Sequence, residues 1–419
     1  MLCCRVPRIA STFVAFVLFL ALTACAGGRM VPAPIAGPQP PFAGGRPLPP
    51  PPPIVPPSGA GAGALKVALL VPLSGANADL GKAMLEAAQL ALFTTDNERL
   101  TLIPRDTTGT PAGAASAARS AITEGATLIL GPLVAGEVEA VKPIARDARI
   151  NVIAFSTATQ LAGGNLFLMG FLPGQEVARE VSFARERGLK RFAALAPNSQ
   201  YGRLLADALR EAVAASGGSV VKVEYLDPRT NDAAAVIKRL LPSGAAASPE
   251  STAAPPPVSA PFDALLLPEG GARLKQIARQ LIEAGLDTSK VRLIGSGLWD
   301  DPAIAGEPAL YGGWFAASSP EPRREFERRF VAAYGHPAPR LASLAFDAAA
   351  LAAALGQRGG GEPFSQDAIL NPNGFTGVDG LFRFTQKGLV QRGLAVLETE
   401  PQGNVVVSPA PQNFRDLSY

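Results

Sequence analysis

The sequence predicts an α/β fold built as two doubly wound, parallel-sheet lobes, and three observations predict it. From Leu65 onward, short runs rich in Leu and β-branched residues alternate with longer amphipathic runs, the order that produces a parallel sheet covered by helices on both faces. The same alternation starts afresh near Arg179. The roughly 350 residues concerned belong to a chain with 47% hydrophobic residues, enough to bury two cores.

Each element has a local cause. "KVALLVPLSG" reads as a buried strand ending in a turn that carries Ser74, and "GKAMLEAAQLALF" as an Ala-rich helix with apolar residues three and four apart. "TLIPRDTTG" is the next strand, "PAGAASAARSAITEG" a helix, "ATLILGPL" a strand, "GEVEAVKPIARDAR" a helix and "INVIAFSTAT" a strand with Ser156, Thr157 and Thr159 at its end. The second round runs through the helix "VAREVSFARERGLK", the strand "RFAALAPN", the turn "SQYG" with Tyr201, and the helix "RLLADALREAVAASGG". It continues with the strand "SVVKVEYLD", the helix "NDAAAVIKRLL", the strand "FDALLLP", the helix "GARLKQIARQLIEAG" and the strand "VRLIGSG", which carries Ser296. Residues 242–261, "PSGAAASPESTAAPPPVSAP", have no period and no aromatic or charge cluster; a mobile surface insertion is expected there.

Ahead of this domain, Arg5 and Arg8 precede an apolar stretch from Ile9 to Ala24 that closes on small residues, the pattern of a cleaved secretory signal over residues 1–24. A membrane span needs about 20 apolar residues, and this run is shorter. "LTAC" at residues 22–25 resembles the lipobox of bacterial lipoproteins, which implies that Cys25 is acylated. The several acyl chains of such lipoproteins imply a lasting membrane anchor, since one chain alone binds marginally. Ala26 follows where an Asp would mark inner-membrane retention, so the resemblance implies the outer membrane. Residues 26–64 are rich in Pro and Gly without apolar period. Such chains favour extended polyproline II, about 3.1 Å per residue, so a tether on the order of 100 Å is expected. The "PPPPP" run also has the form of an SH3-type ligand.

Composition excludes several classes of chemistry. Cys3 and Cys4 leave with the signal, so the folded part has no disulfide, no thiol nucleophile and no Cys-based metal site. Without Arg5 and Arg8 the chain has 36 basic and 35 acidic residues, and no basic run with interleaved aromatics marks a nucleic-acid face. The single histidine, His336 in "YGHPAP", reads as a surface turn. "PLSG" is not a nucleophile elbow and "IGSGLW" has neither dinucleotide nor Walker spacing. No enzyme activity, metal or cofactor is expected.

Seven segments in order, from "KVALLVPLSGANADLGKAMLEAAQLAL" through "ATLILGPLVAGEVEAVKPIARDARINVIAFSTAT" and "APNSQYGRLLADALREAVAASGGSVV" to "GVDGLFRFTQKGLVQRGLAVLE", resemble type I periplasmic binding proteins of the leucine/isoleucine/valine-binding kind. The resemblance covers nearly everything from Leu65 on. It implies two lobes joined by three crossovers, lobe one over 65–171 and 298–375, lobe two over 172–297 and 376–419. It also implies a ligand cleft at the carboxyl ends of the strands, where open α/β sheets bind ligands. Carried onto this chain, the serine that holds a ligand carboxylate falls in "GPLVAGE", where Ala135 and Gly136 offer no hydroxyl. "FSTAT" retains Ser156, Thr157 and Thr159, and "QYG" retains Tyr201. The acid for a ligand ammonium is expected in "LIGSGLWDD", where Ser296 and Gly297 stand in its place and Asp300 and Glu269 are out of register.

The cleft candidates are therefore Ser74, Ser156, Thr157, Thr159, Tyr201 and Ser296, with helix capping or packing as the other use of each. A buried zwitterion needs both charges met, so the missing acid argues against free amino acids. Two functions are expected from this. One is an outer-membrane lipoprotein that activates a penicillin-binding protein, with a peptidoglycan synthase as partner; the resemblance extends to such activators, though their helical-repeat domain has no counterpart here. The other is the receptor of an ABC importer for amino acids or related solutes, with a permease as partner. Trp299, Tyr311 and Trp314 could form a contact hot spot or core packing.

Overall fold

The computed structural model of the chain describes residues 64–95, 99–230, 232–241, 260–304, 306–357, 362–415 and 417. Cys25, the signal, the tether up to residue 63 and most of the insertion, 242–259, lie outside them.

The chain begins with β1 (Leu65–Val71), α1 (Ala78–Thr95), β2 (Leu100–Asp106), α2 (Pro111–Thr123), β3 (Leu128–Leu130), α3 (Ala135–Asp147), β4 (Asn151–Ala154) and β5 (Leu166–Leu168). These strands form an all-parallel sheet in the order β2-β1-β3-β4-β5. Alternation along β1 sends Val67, Leu69 and Val71 into one core and Ala68 and Leu70 into another, because successive strand residues face opposite sides. Helices cover both faces, as a fully buried strand requires.

The second round comprises α4 (Pro173–Glu186), β6 (Arg191–Pro197), α5 (Gln200–Ala215), β7 (Ser219–Leu226), α6 (Ala234–Leu240), β8 (Ala264–Leu266), α7 (Gly271–Glu283), β9 (Arg292–Ile294) and β10 (Trp314–Ala317). The chain then returns to the first lobe through α8 (Pro320–Tyr334), α9 (Ala342–Gln357), the short α10 (Gln366–Ile369) and the small antiparallel sheet β11 (Phe375–Gly377), β12 (Gly380–Phe384) and β13 (Val390–Arg392). It ends with β14 (Ala395–Glu400) and β15 (Gly403–Ser408). The second sheet runs β15-β14-β10-β9-β8-β6-β7, parallel from β7 to β10 and antiparallel at β14 and β15.

The two-lobe α/β architecture is as expected, but two of the expected lobe boundaries move. Residues 298–317 belong to lobe two, since β10 pairs Trp314 with Ile294 of β9 and lies beside β14. The expected break at 298 therefore falls after Ala317. Residues 376–392 belong to lobe one: Phe382, Phe384 and Val390 sink into the core that holds Phe167, and Leu389 bridges Leu168 of β5. Phe167 and Phe384 meet edge to face at 5.4 Å. Burial of these aromatics, rather than chain order, decides the lobe. The last crossover thus lies between Arg392 and Ala395.

The C-terminal tail crosses back once more. Ala410 packs on the lobe-two core, Pro411 meets Gly393, and Phe414 seats in the turn at Gly374, 4.4 Å beneath the Arg383 guanidinium. Trp299 and Trp314 are core residues of lobe two, 0% and 5% exposed, so neither is a surface contact; Tyr311 is half-buried.

Candidate functional site

Parallel pairing places the loops after β1, β2, β3 and β4 at one edge of lobe one, and those after β6, β8 and β9 at the matching edge of lobe two. Each expected site residue lies in one of these loops or in the first turn after it.

On lobe one, Ser74 is exposed and its hydroxyl donates to Asp106 Oδ2 at 2.6 Å. Asp106 also accepts from the amides of Leu73, Ser74 and Thr108 at 2.9, 3.2 and 2.7 Å. Burial works against its charge, but these donors together hold its carboxyl below the usual range. The Ser74 proton is therefore committed to the loop, and only its lone pairs face outward. Ser156 is buried; its Oγ accepts from the Ala158 amide at 3.2 Å, which leaves its O–H to donate. Thr157 and Thr159 are exposed, Thr159 opening a 3-10 turn over Thr159–Leu161. Beside them α3 begins at Ala135. The carbonyl of Val134 accepts from Glu137 and Val138, while the amides of Ala135 and Gly136 have no intrahelical partner. Ala135 and Gly136 lack a hydroxyl, yet they bring backbone donors to the edge of lobe one.

On lobe two, Tyr201 sits in the first turn of α5 rather than in a free turn, because Ser199 caps that helix by accepting from Gly202 N at 3.2 Å. The Tyr201 hydroxyl donates to Ser296 Oγ at 3.1 Å, and Ser296 is fully buried. Trp299 supports this corner: its Nε1 donates to Leu267 O at 3.1 Å and its ring fills the space against Gly295 and Gly313.

Three carboxylates surround the Tyr201–Ser296 pair. Glu176, in the first turn of α4, accepts from Gly297 N at 2.7 Å; a Cβ at Gly297 would stand 2.7 Å from Glu176 Oε1, so a larger residue there would push the carboxylate aside. Glu180, one turn on, accepts from Ala316 N at 2.7 Å. Glu269, at the end of β8, pairs with Arg273 at 3.0 Å. Burial raises the Tyr201 phenol, and the charges of Glu176, Glu180 and Glu269 raise it further. Burial likewise lifts Glu176 to about 7 against the pull of the Gly297 amide and Arg340. It pushes Glu180 well above the carboxylate range and Glu269 more modestly, with Arg273 opposing.

A buried ionic cluster ties the crossovers together. Arg340, before α9, pairs with Asp379 at 2.8 Å and lies 4.0 Å over the Phe171 ring in the first crossover. Arg392 donates to Met169 O at 2.8 Å, and its amide donates to Gln175 Oε1 at 3.0 Å. Asp347 accepts from Val378 N at 2.7 Å; burial raises its carboxyl, and its neighbour Asp379 raises it further. Asp379, opposed by burial, is held down by Arg340 and Arg392. Among the described residues, no group of three or more His, Cys, Asp or Glu is placed to hold a metal ion.

The sequence profile of the periplasmic binding proteins matches residues 64–404. The chain belongs to the periplasmic binding protein family. Among solved structures, a protein of Rhodospirillum rubrum assigned to branched-chain amino acid ABC transport has a TM-score of 0.70 at 22% identity, over 82% of this chain and all of that one. A leucine binding protein of Thermotoga maritima gives 0.57 at 20%, over 84% and 100% of the two chains. A solute binding protein of R. palustris, in complex with benzoate, gives 0.55 at 21%, over 83% and 98%. At these identities the likeness is one of fold, the type I periplasmic binding protein fold. Comparison with curated protein sequences finds no match.

In this periplasmic binding protein the position expected for the acid holds Ser296 and Gly297, as the sequence indicates, with carboxylates from other elements nearby. Gly297 N donates to Glu176, and Glu269 and Glu180 act on Tyr201 from behind. These neighbouring carboxylates belong to α4 and to the end of β8. Sequence inspection missed Glu176 and Glu180 because "QEVARE" has the look of a solvated helix face. Their position in the first turns after a crossover was the available signal.

Proposed function

We propose that this periplasmic binding protein is the solute receptor of an ABC importer and acts by binding, without catalysis. One observation carries the reading: both lobes bring polar groups to the carboxyl ends of their parallel strands, where open α/β sheets bind ligands. Lobe one offers Ser156, Thr157 and the amides that open α3, beside the Asp106 carboxylate that holds Ser74; lobe two offers Tyr201, Ser296 and the half-buried Glu176. A small zwitterion or polar carboxylate meets a partner at each end, which a closed cleft demands, because an ion left unpaired there costs several kcal/mol. The leucine- and benzoate-binding neighbours show that this fold accommodates such solutes. Thermal denaturation of the purified protein against amino acids and small carboxylates tests it. A true solute at a hundred times its Kd stabilises by about 2.7 kcal/mol; no shift with any of them ends the reading.

A second reading has its own support in "LTAC" at Cys25, Ala26 and the Pro-rich tether. In it the protein is a lipoprotein of the outer membrane that reaches a peptidoglycan synthase and activates it. Co-purification of a bifunctional synthase with the lipidated protein supports this reading, and failure to recover one from solubilised envelopes counts against it.

A further inference from the structure

The chain crosses between the lobes from β5 to α4, from β10 to α8 and from β13 to β14. Lobes joined in this way swing about their crossovers unless something else ties them. The C-terminal tail, residues 409–415, is placed to do so. It leaves lobe two after β15, where Val407 and Ala410 pack on the cores of the two sheet faces. Arg179 of α4 holds its start, donating to Ser408 Oγ and, from Nε, to Leu394 O at 3.0 Å in the third crossover itself. Pro411 then lies against that crossover, since a Cβ on Gly393 would stand 3.1 Å from Pro411 Cγ. The backbone turns at Asn413, whose Oδ1 accepts from the Arg415 amide at 2.9 Å.

Phe414 ends this path in lobe one. It is 9% exposed, whereas Gln412, Asn413 and Arg415 beside it are exposed, so the ring alone is held. Gly374 makes its seat: with φ at +69°, a Cβ there would stand 2.4 Å from Phe414 Cε2 and 2.5 Å from Phe382 O. Glycine thus serves both the left-handed turn and the ring. The Arg383 guanidinium covers the ring at 4.4 Å, and is itself pinned by Gln391 Oε1 at 2.9 Å and Pro372 O at 3.1 Å. Ala410 on lobe two and Phe414 on lobe one are four positions apart, a reach of roughly 14 Å at full extension. So short a link has little slack.

We propose that the C-terminal tail is a fourth link between the lobes, latched by Phe414, and that it limits how far they swing about the three crossovers. The inference goes beyond the receptor reading and holds whatever the cleft binds. A wider swing must either stretch residues 410–414 or lift the ring from its seat, which returns a large apolar surface to water.

Hydrogen exchange by mass spectrometry, with solution X-ray scattering beside it, tests this on the full chain. Three variants are compared with wild type: Phe414→Ala, Phe414→Leu, and an insertion of six Gly and Ser residues between the exposed Gln412 and Asn413. The insertion leaves the ring its seat and only slackens the link. The readout is the amides of residues 169–172 and 318–319, the two crossovers to which the tail contacts described above do not run. Phe414→Ala and the insertion are expected to speed exchange there about tenfold and to raise the radius of gyration, with β1 and β6 as protected as in wild type. Phe414→Leu, which keeps apolar bulk in the seat, should stay close to wild type. Faster exchange confined to residues 372–383 and 409–415, with the crossovers and the radius unchanged, overturns the proposal and leaves Phe414 a local packing residue. Should Phe414→Ala lose protection throughout, the insertion decides: unchanged crossover exchange with the tail slackened overturns the proposal, and faster exchange there with residues 372–383 still protected supports it.

Discussion

The two lobes repeat one architecture and carry unlike chemistry at the carboxyl ends of their strands. On lobe one the polar groups are short hydroxyls, helix-start amides and one carboxylate, Asp106, which its donors keep ionised; Ser74 is bound to it and Ser156 to the Ala158 amide. On lobe two they are carboxylates set around a buried Tyr201–Ser296 pair, pushed towards neutrality by burial and by one another. The sheets do the same work in both lobes, so the difference resides in the segment after each strand. The fold supplies the position of a binding cleft and the loops supply its polarity. Four substitutions break or sharpen this contrast.

The largest effect is expected from Trp299→Ala, which removes the support beneath Ser296 and Gly297. Loss of a fully buried indole costs about 3–5 kcal/mol, read as a fall in the urea midpoint. A change below about 1 kcal/mol would show that the lobe-two face does not depend on it. Arg392→Met attacks what holds the faces in register. Breaking a buried ion cluster costs about 3–5 kcal/mol, and the low end is expected because Arg340 still compensates Asp379. Wild-type stability in this variant would mean the cluster is dispensable.

Glu176→Gln acts through pH. The wild-type carboxyl titrates near 7 when folded and near 4.5 otherwise, so the folded chain holds the extra proton between these values. Stability therefore falls as pH rises through that window. Removing the group leaves stability near pH 4 unchanged and raises it at pH 8, by about 1–2 kcal/mol after allowance for partial exposure. Melting curves at the two pH values check the sign; a loss at pH 8 would mean that Glu176 stabilises the fold. The smallest effect is Ser156→Ala on lobe one. Loss of one neutral donor weakens carboxylate binding by about 1 kcal/mol, roughly fivefold, with little effect on the pH profile. Unchanged carboxylate binding in this variant would show that the lobe-one hydroxyl does not touch the solute.

How much of this was legible in the sequence differs from one region to another. Most strands and helices from Leu65 to Ile294 follow from their periods, because a buried strand and an amphipathic helix leave different apolar spacing; β5 does not, since three residues, Leu166–Leu168, are too few to show a period. Residues 298–317 did not, since three 3-10 turns over Gly297–Leu310 break any period before β10, leaving a four-residue strand without context. Tyr201 and Ser296 could be named from loop position, but their hydrogen bond joins residues 95 apart in the chain. Glu176 and Glu180 were hidden for a related reason. Spacing of four says that two side chains share a helix face, and only the approach of Gly297 and Ala316 says that the face is covered. The link from Arg392 to Met169 O spans 223 residues and leaves no local trace.

The central claim is that the space between the lobes binds a small solute with opposite charges at its ends. Calorimetric titration of the purified protein at pH 8 with each amino acid tests it most directly. The account predicts one of them to bind at one-to-one stoichiometry. No binding by any amino acid, and none by small carboxylates titrated beside them, would contradict it.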